Sequence, residues 1–333
     1  MTKIGLIGCG MWGRNLARNL AQLDVLAAVA DHHDESAAKF ATQFHSQKRD
    51  FDAILTDNKI DGVVIATSAP SHDRLAIAAL QAGKHVYVEK PLSLTLAGAN
   101  RIADAAIQAG RQVMVGHLIR YHAAFRELQA QVSAGAIGAL RHIQANRLAM
   151  GRIRTTESVL FDLCPHDLSL VLALAGGVPN KIHCAGSSHM TAGVVDYLSS
   201  FLGFKNNLSA GMQTSWLSPF KEHQLTVTGT AGSMVFDDTK PWPEKLTLYQ
   251  DSMRLIGEHF NVDRASPVAL PVPESEPLKD EMRAFITCCQ TGNPAESDIT
   301  EALNVQAVLD QMQKALIDTN SSQDWIPDEN RIY

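Results

Sequence analysis

The sequence predicts a doubly wound α/β domain over 1–120, followed over 121–333 by an α+β domain built on an open-faced, mainly antiparallel sheet. Three observations predict this. The apolar run Ile4-Gly5-Leu6-Ile7 passes directly into Gly8-Cys9-Gly10-Met11-Trp12-Gly13, a G-x-G-x-x-G spacing where a strand turns into a helix over 14–23. Short apolar runs then alternate with helical periodicity as far as residue 116, the pattern of parallel strands covered on both faces. From residue 139 strands succeed one another without intervening helices, with turn signals such as Gly229-Thr230-Ala231-Gly232, the pattern of an antiparallel sheet. A chain of 333 residues also exceeds what one hydrophobic core usually serves.

In the first, Rossmann-type domain each glycine of the motif has its own task. Gly8 permits the tight turn, Gly10 lets the backbone approach a pyrophosphate, and Gly13 allows close helix-strand packing. The helix N-terminus, with Cys9, Met11 and Trp12 in the turn, then faces the phosphates. A second strand over 25–30 ends at Asp31, about 20 residues beyond the glycines, where an acid takes the ribose hydroxyls. Asp31 repels a 2'-phosphate and no arginine adjoins it, so NAD is expected in preference to NADP, with His32 beside Asp31 among its contacts. A strand over 62–66, a helix over 71–82, a strand over 85–88, a helix over 95–109 and a strand over 112–116 complete the alternation.

The second domain opens with a helix over 123–133. Strands are expected over 139–147, 182–187, 196–202, 207–216, 223–228 and 245–249. The apolar stretch 168–178 reads as a buried helix, 300–317 as a final amphipathic one, and 241–243 and 267–277 as proline-rich connections. An open sheet has two faces, and a chain of this size covers one with its own helices. The other is an expected subunit interface, giving a homodimer or homotetramer.

Composition narrows the partners. The chain is 45% hydrophobic and 19% charged, and 29 Lys and Arg against 35 Asp and Glu give a net charge of -6. Neither nucleic acid nor an anionic membrane is expected to bind it, and any bound phosphate must be neutralised locally. No apolar stretch is long enough to span a bilayer and no export leader opens the chain, so a cytoplasmic location is expected. Cys9, Cys164, Cys184, Cys288 and Cys289 form no C-x-x-C pair, and Cys164 with His166 lacks a second ligand pair. Reduced thiols and a site without metal are expected.

The sharpest catalytic signal is Gly83-Lys84-His85-Val86-Tyr87-Val88-Glu89-Lys90-Pro91. Pro91 stops the strand, which leaves Lys90 at the carboxyl edge of the parallel sheet, where ligands bind. Removing hydride from an alcohol carbon is helped by withdrawing the hydroxyl proton at the same time. Lysine adapts to that work when desolvated beside cations, and imidazole already titrates in the required range.

These segments resemble the glucose-fructose oxidoreductase / inositol dehydrogenase family over almost the whole chain. The likeness is carried by the glycine motif, Ala66-Thr67 to His72, Gly83-Lys84-His85 to Glu89-Lys90-Pro91, Gly116-His117 with Arg120-Tyr121, and Asp162-Leu163-Cys164-Pro165-His166-Asp167. In that family the last motif usually reads Asp-x-Gly-x-His, so Cys164 replaces the glycine and Ser169 a frequent second acid. The resemblance implies a hydroxyl-to-ketone dehydrogenase in which Lys90, His166 and Asp162 act on the substrate and Glu89 orients Lys90. Thr67, Ser68, His72 and His117 join the implied cofactor contacts, and Arg120 and Tyr121 the substrate contacts.

A narrower likeness lies in Asn146-Arg147-Leu148, Gly151-Arg152-Ile153-Arg154, Ser215-Trp216-Leu217-Ser218-Pro219-Phe220-Lys221-Glu222, Val235-Phe236-Asp237-Asp238 and Pro241-Trp242. These are similar to the branch that oxidises C3 of UDP-linked N-acetylated sugars. Arg147, Arg152, Arg154 and Lys221 suit a diphosphate, and Trp216 suits stacking on a flat ring. The likeness implies UDP-N-acetylglucosamine as substrate, with its uronate as the alternative. Its 3-keto product would pass to a pyridoxal-phosphate aminotransferase, toward a 2,3-diamino sugar of the lipid A type. The same fold also serves as a non-catalytic NAD-linked regulator, a reading that retention of Lys90 and His166 opposes.

Overall fold

The computed structural model describes residues 2–151 and 153–320. Its first third is a six-stranded parallel sheet of β1 (Ile4–Ile7), β2 (Leu26–Ala30), β3 (Gln47–Lys48), β4 (Gly62–Ile65), β5 (His85–Val88) and β6 (Val113–Val115), in the order β3-β2-β1-β4-β5-β6. Crossovers run through α1 (Met11–Gln22), α2 (Asp34–Gln43), α3 (Phe51–Thr56), α4 (His72–Gln81) and α5 (Leu96–Ala109). Every residue of β1, β4 and β5 is buried, because helices cover both faces. Strand order reverses between β1 and β4, which opens a crevice at their carboxyl ends. The span 34–61, unassigned from sequence, supplies α2, β3 and α3. Two residues of β3 and six of α3 are too short to show a period.

The remainder begins with α6 (Ala123–Ser133). An eight-stranded sheet follows, built from β7 (Leu140–Met150), β8 (Lys181–Ser187), β9 (Tyr197–Gly203), β10 (Ser209–Ser215), β11 (Leu217–Gly229), β12 (Ser233–Asp237), β13 (Leu246–Tyr249) and β16 (Val268–Ala269). The order is β16-β13-β12-β11-β7-β10-β9-β8, and only β7 and β10 pair in parallel. A separate hairpin, β14 (Ser252–Ile256) and β15 (His259–Asp263), stands before β16. Between β7 and β8 lie α7 (Val159–Asp162) and α8 (Cys164–Ala175). Residues alternate along β9 and β10: Leu198, Leu202, Ala210 and Met212 turn inward to pack with α8 and the last helix, while Tyr197 and Phe201 stay exposed.

Two expectations need correction. The helix read over 168–178 begins at Cys164, with Pro165 in its first turn, so His166 and Asp167 are helical. The stretch 267–277, read as a connection, ends in α9 (Pro277–Thr291), which is followed by α10 (Ile299–Asn320). Pro277 opens α9, where a missing N–H breaks no bond. This helix leaves the second sheet and returns to the first, where Met282 and Phe285 pack with Leu16, Leu20, Tyr87 and Tyr121. No helix among the described residues is long and apolar enough to cross a membrane. Among the described residues no two cysteines are joined by a disulfide.

Candidate active site

The dinucleotide turn has the shape its glycines demand. Gly8 adopts φ +105°, and a Cβ there would lie 2.6 Å from the Ala66 carbonyl oxygen. A Cβ on Gly13 would lie 2.1 Å from Gly8 O, whereas the space over Gly10 is open. No side chain caps α1, so its first amides remain free to meet an anion. Asp31, at the end of β2, accepts from Cys9 N at 2.6 Å and from His33 N at 2.8 Å, and His32 Nδ1 lies 3.2 Å from it. The acid therefore fastens the turn to the second strand while keeping its charge at the cofactor edge. These features fit a dinucleotide.

Beyond the next two strands, His72, the first residue of α4, is buried, with Nδ1 2.8 Å from Pro91 O and Nε2 3.1 Å from Thr67 O. It joins the loops after β4 and β5, while the Thr67 and Ser71 hydroxyls meet at 2.7 Å and Ser68 O accepts from Ser71. Glu89 Oε1 accepts from the Trp12 indole N–H at 2.5 Å and from Tyr87 Oη at 2.9 Å. Burial raises the Glu89 carboxyl, against the bonds from Trp12 and Tyr87 that favour its ionised form.

These groups border a cleft of about 550 Å³ whose lining includes Trp12, Thr67, Glu89, Lys90, His166 and Lys221. Lys90 Nζ donates to Asp162 O at 2.7 Å and lies 3.6 Å from Asp162 Oδ1. Asp162 also accepts from Arg154 and from the Trp216 indole, each at 3.2 Å. Behind it, Arg147 grips Asp167 with two bonds of 2.7 Å, both partners buried. His166 borders this ion-pair network, and its Nδ1 has no hydrogen-bond partner among the described residues. Burial, with the charges of Lys90 and Arg147, pushes its imidazole well below the usual range, so it is neutral.

Several expected contacts take other positions. Trp216 is 2% exposed, gives its indole N–H to Asp162 and lines a neighbouring cavity of about 100 Å³ rather than the cleft itself. Tyr121 is 1% exposed and its hydroxyl meets Ser297, which makes it part of the packing under the cleft. Arg147, expected on a diphosphate, gives Nε and Nη2 to Asp167 and turns Nη1 to within 3.4 Å of His223 Nδ1, while still lining the cleft. Buried Arg120 lies over the Phe125 ring, and buried His117 turns Nδ1 to Glu301 at 2.6 Å. Arg154 and Lys221 remain on the cleft wall; Arg152 lies outside the described residues.

Four charged or titratable groups received no role from the sequence, although Asp238 lies in one of the quoted likenesses. His223 and Asp238 line the cleft from the second sheet, and Asp238 pairs with Lys245 at 2.9 Å. Burial works to raise the Asp238 carboxyl, but bonds from His122 and Lys245 outweigh it and hold it low. Glu301 takes the Ser169 hydroxyl at 2.5 Å as well as His117, so an acid from α10 stands beside the serine that replaces the usual one. Glu281, on α9, lies 3.1 Å from Tyr87 Oη. An acid at apolar spacing on an amphipathic helix, as at Glu281 before Phe285 or Glu301 before Val305, was the one available signal.

Fold and site define an NAD-binding oxidoreductase. Residues 2–117 match the oxidoreductase family with an NAD-binding Rossmann fold, and residues 125–235 match the GFO/IDH/MocA C-terminal domain. The chain belongs to this GFO/IDH/MocA family. It is 32% identical over 215 residues to the UDP-N-acetylglucosamine 3-dehydrogenase of Acidithiobacillus ferrooxidans, a match spanning 64% of this chain and 66% of that relative. With the myo-inositol 2-dehydrogenase of Thermotoga maritima it shares 25% over 307 residues, 88% of this chain and 89% of that one. A solved structure of the UDP-N-acetylglucosamine 3-dehydrogenase from A. ferrooxidans is similar at TM-score 0.84 and 26% identity, covering 95% of this chain and 98% of that chain.

Proposed function

We propose that this protein oxidises the C3 hydroxyl of UDP-N-acetylglucosamine to the 3-keto sugar. The observation that carries the reading is that Lys90 and neutral His166 line the same cleft as the dinucleotide turn, with Arg154 and Lys221 on its wall. The similarity to a UDP-N-acetylglucosamine 3-dehydrogenase supports the choice of sugar. NAD, when bound, takes the hydride. Lys90, steadied by Asp162, donates a hydrogen bond to the substrate oxygen and stabilises the negative charge that grows there. His166, having an acceptor nitrogen, receives the hydroxyl proton. Arg154, Lys221 and Arg152 neutralise the diphosphate, which the negative net charge of the chain cannot do at a distance.

Oxidation of an alcohol by NAD is uphill at neutral pH, so a pyridoxal-phosphate aminotransferase that consumes the ketone is the functional partner, and it draws the reaction forward by mass action. UDP-sugars and NAD are cytoplasmic, which puts the proposed reaction there. The uncovered face of the second sheet, with Tyr197 and Phe201 exposed, supports a homodimer or homotetramer. The test is to mix protein, NAD and UDP-N-acetylglucosamine with and without such an aminotransferase and glutamate. Mass spectrometry should show a 3-amino UDP-sugar only in the complete mixture. Conversion of the uronate alone would move the assignment to that substrate.

A further inference from the structure

The cofactor side of the cleft holds a carboxyl group that the proposed chemistry does not use. Glu281 lines the cleft beside Glu89, yet none of its surface is exposed to solvent. Its Oε2 lies 3.1 Å from Tyr87 Oη, and its Oε1 has no hydrogen-bond partner among the described residues. The same Tyr87 Oη lies 2.9 Å from Glu89 Oε1.

Counting protons decides the arrangement. A phenol has one O–H to give. Were both carboxyls ionised, one of them would face the phenol oxygen with no donor, and two like charges would share a dry site. Glu89 has what an anion needs, the Trp12 indole N–H at 2.5 Å and Lys90 next along the chain. Glu281 has neither. The titratable groups around it are Tyr87 of β5, Glu89 just beyond that strand, and Tyr121, whose hydroxyl is taken by Ser297.

We infer that Glu281 is a protonated acid and a positioning residue: its O–H donates to Tyr87, Tyr87 donates to Glu89, and ionised Glu89 holds the Trp12 indole at the dinucleotide turn. The chain of donors ties α9, β5 and the first turn of α1 together under the cofactor edge. Burial and the nearby Glu89 charge push the Glu281 carboxyl well above the usual range, in the same direction. The inference rests on reading the turn as an NAD site and is independent of which sugar is oxidised.

The experiment is infrared difference spectroscopy between wild type and Glu281→Gln at neutral pH, joined to NAD titration by calorimetry, with no substrate present. Wild type should carry the carbonyl stretch of a protonated carboxylic acid, and Glu281→Gln should remove it. Loss of a carboxylate band instead overturns the inference. Gln donates to Tyr87 as the acid does, so Glu281→Gln should hold the Kd for NAD within about twofold, while Glu281→Leu weakens it about tenfold. Trp12→Phe should weaken NAD similarly, and the Glu281→Leu/Trp12→Phe double variant no further, since both cut one chain. Additive losses, or a Gln variant as weak as Leu, overturn the inference. If Glu281→Leu does not fold, the infrared result on Glu281→Gln decides alone.

Discussion

The two walls of the cleft treat charge in opposite ways. On the substrate wall Asp167 is matched by Arg147, Asp162 by Lys90 and Arg154, and Asp238 by Lys245. On the cofactor wall Glu89 and Glu281 share one phenol, and Asp31 is held by backbone N–H groups. The difference separates two tasks. A wall of paired charges keeps imidazole neutral, and on the proposed function it would meet an anionic substrate with cations already in place. A wall of acids fixes the turn with hydrogen bonds.

The most damaging way to break the substrate wall is to unpair its buried ions. Asp167→Ala leaves the Arg147 guanidinium buried without its carboxylate, which should cost roughly 3–5 kcal/mol in urea unfolding. Arg147→Met with Asp167→Leu should restore most of that stability, because neither charge is then stranded. Next in size is the proton-transfer pair. Lys90→Met or His166→Asn should lower kcat by roughly 10²-fold or more while NAD binding survives, and the double variant should lose less than the product of the two. Near-normal turnover in either single variant would remove that residue from the mechanism.

The cofactor wall gives a smaller effect. Asp31→Ser should narrow the preference of kcat/KM for NAD over NADP by about tenfold, ~1.4 kcal/mol, by removing the repulsion of a 2'-phosphate. No change in the ratio would mean that Asp31 serves only to fasten Cys9 and His33. Smallest is a pH effect on stability. Burial, with Arg147 and Lys221, holds His223 down at about 4, whereas an unfolded chain titrates it near about 6.5. Below that value the unfolded state gains the proton first, so this contribution is complete above about 6.5 and lost as pH falls toward 4. His223→Gln should flatten the stability profile across that window; an unchanged slope assigns the titration to another group.

The same two walls explain what the sequence reveals. Gly8, Asp31 and Lys90 were legible because each sits at the end of a short strand with a regular period, where position in the motif fixes position in the sheet. His166 was legible as chemistry but not as geometry, since the helix that carries it starts four residues before the apolar run. Glu281 was hidden because the prolines before 277 masked the start of α9, and because that helix reaches the first sheet only after 161 residues of intervening chain separate β6 from its first residue. Arg147 shows the converse: its charge was plain, but its fate depended on Asp167 across the buried side of the sheet. Cation clusters in a sequence do not tell which members are already paired.

The most direct test of the account is the appearance of reduced nicotinamide when the protein and NAD meet UDP-N-acetylglucosamine, free N-acetylglucosamine, the UDP-linked uronate or myo-inositol in parallel. Absorbance should rise with UDP-N-acetylglucosamine, stay flat with the free sugar, and rise far more slowly in His166→Asn. A rise with myo-inositol and none with UDP-N-acetylglucosamine would contradict the account.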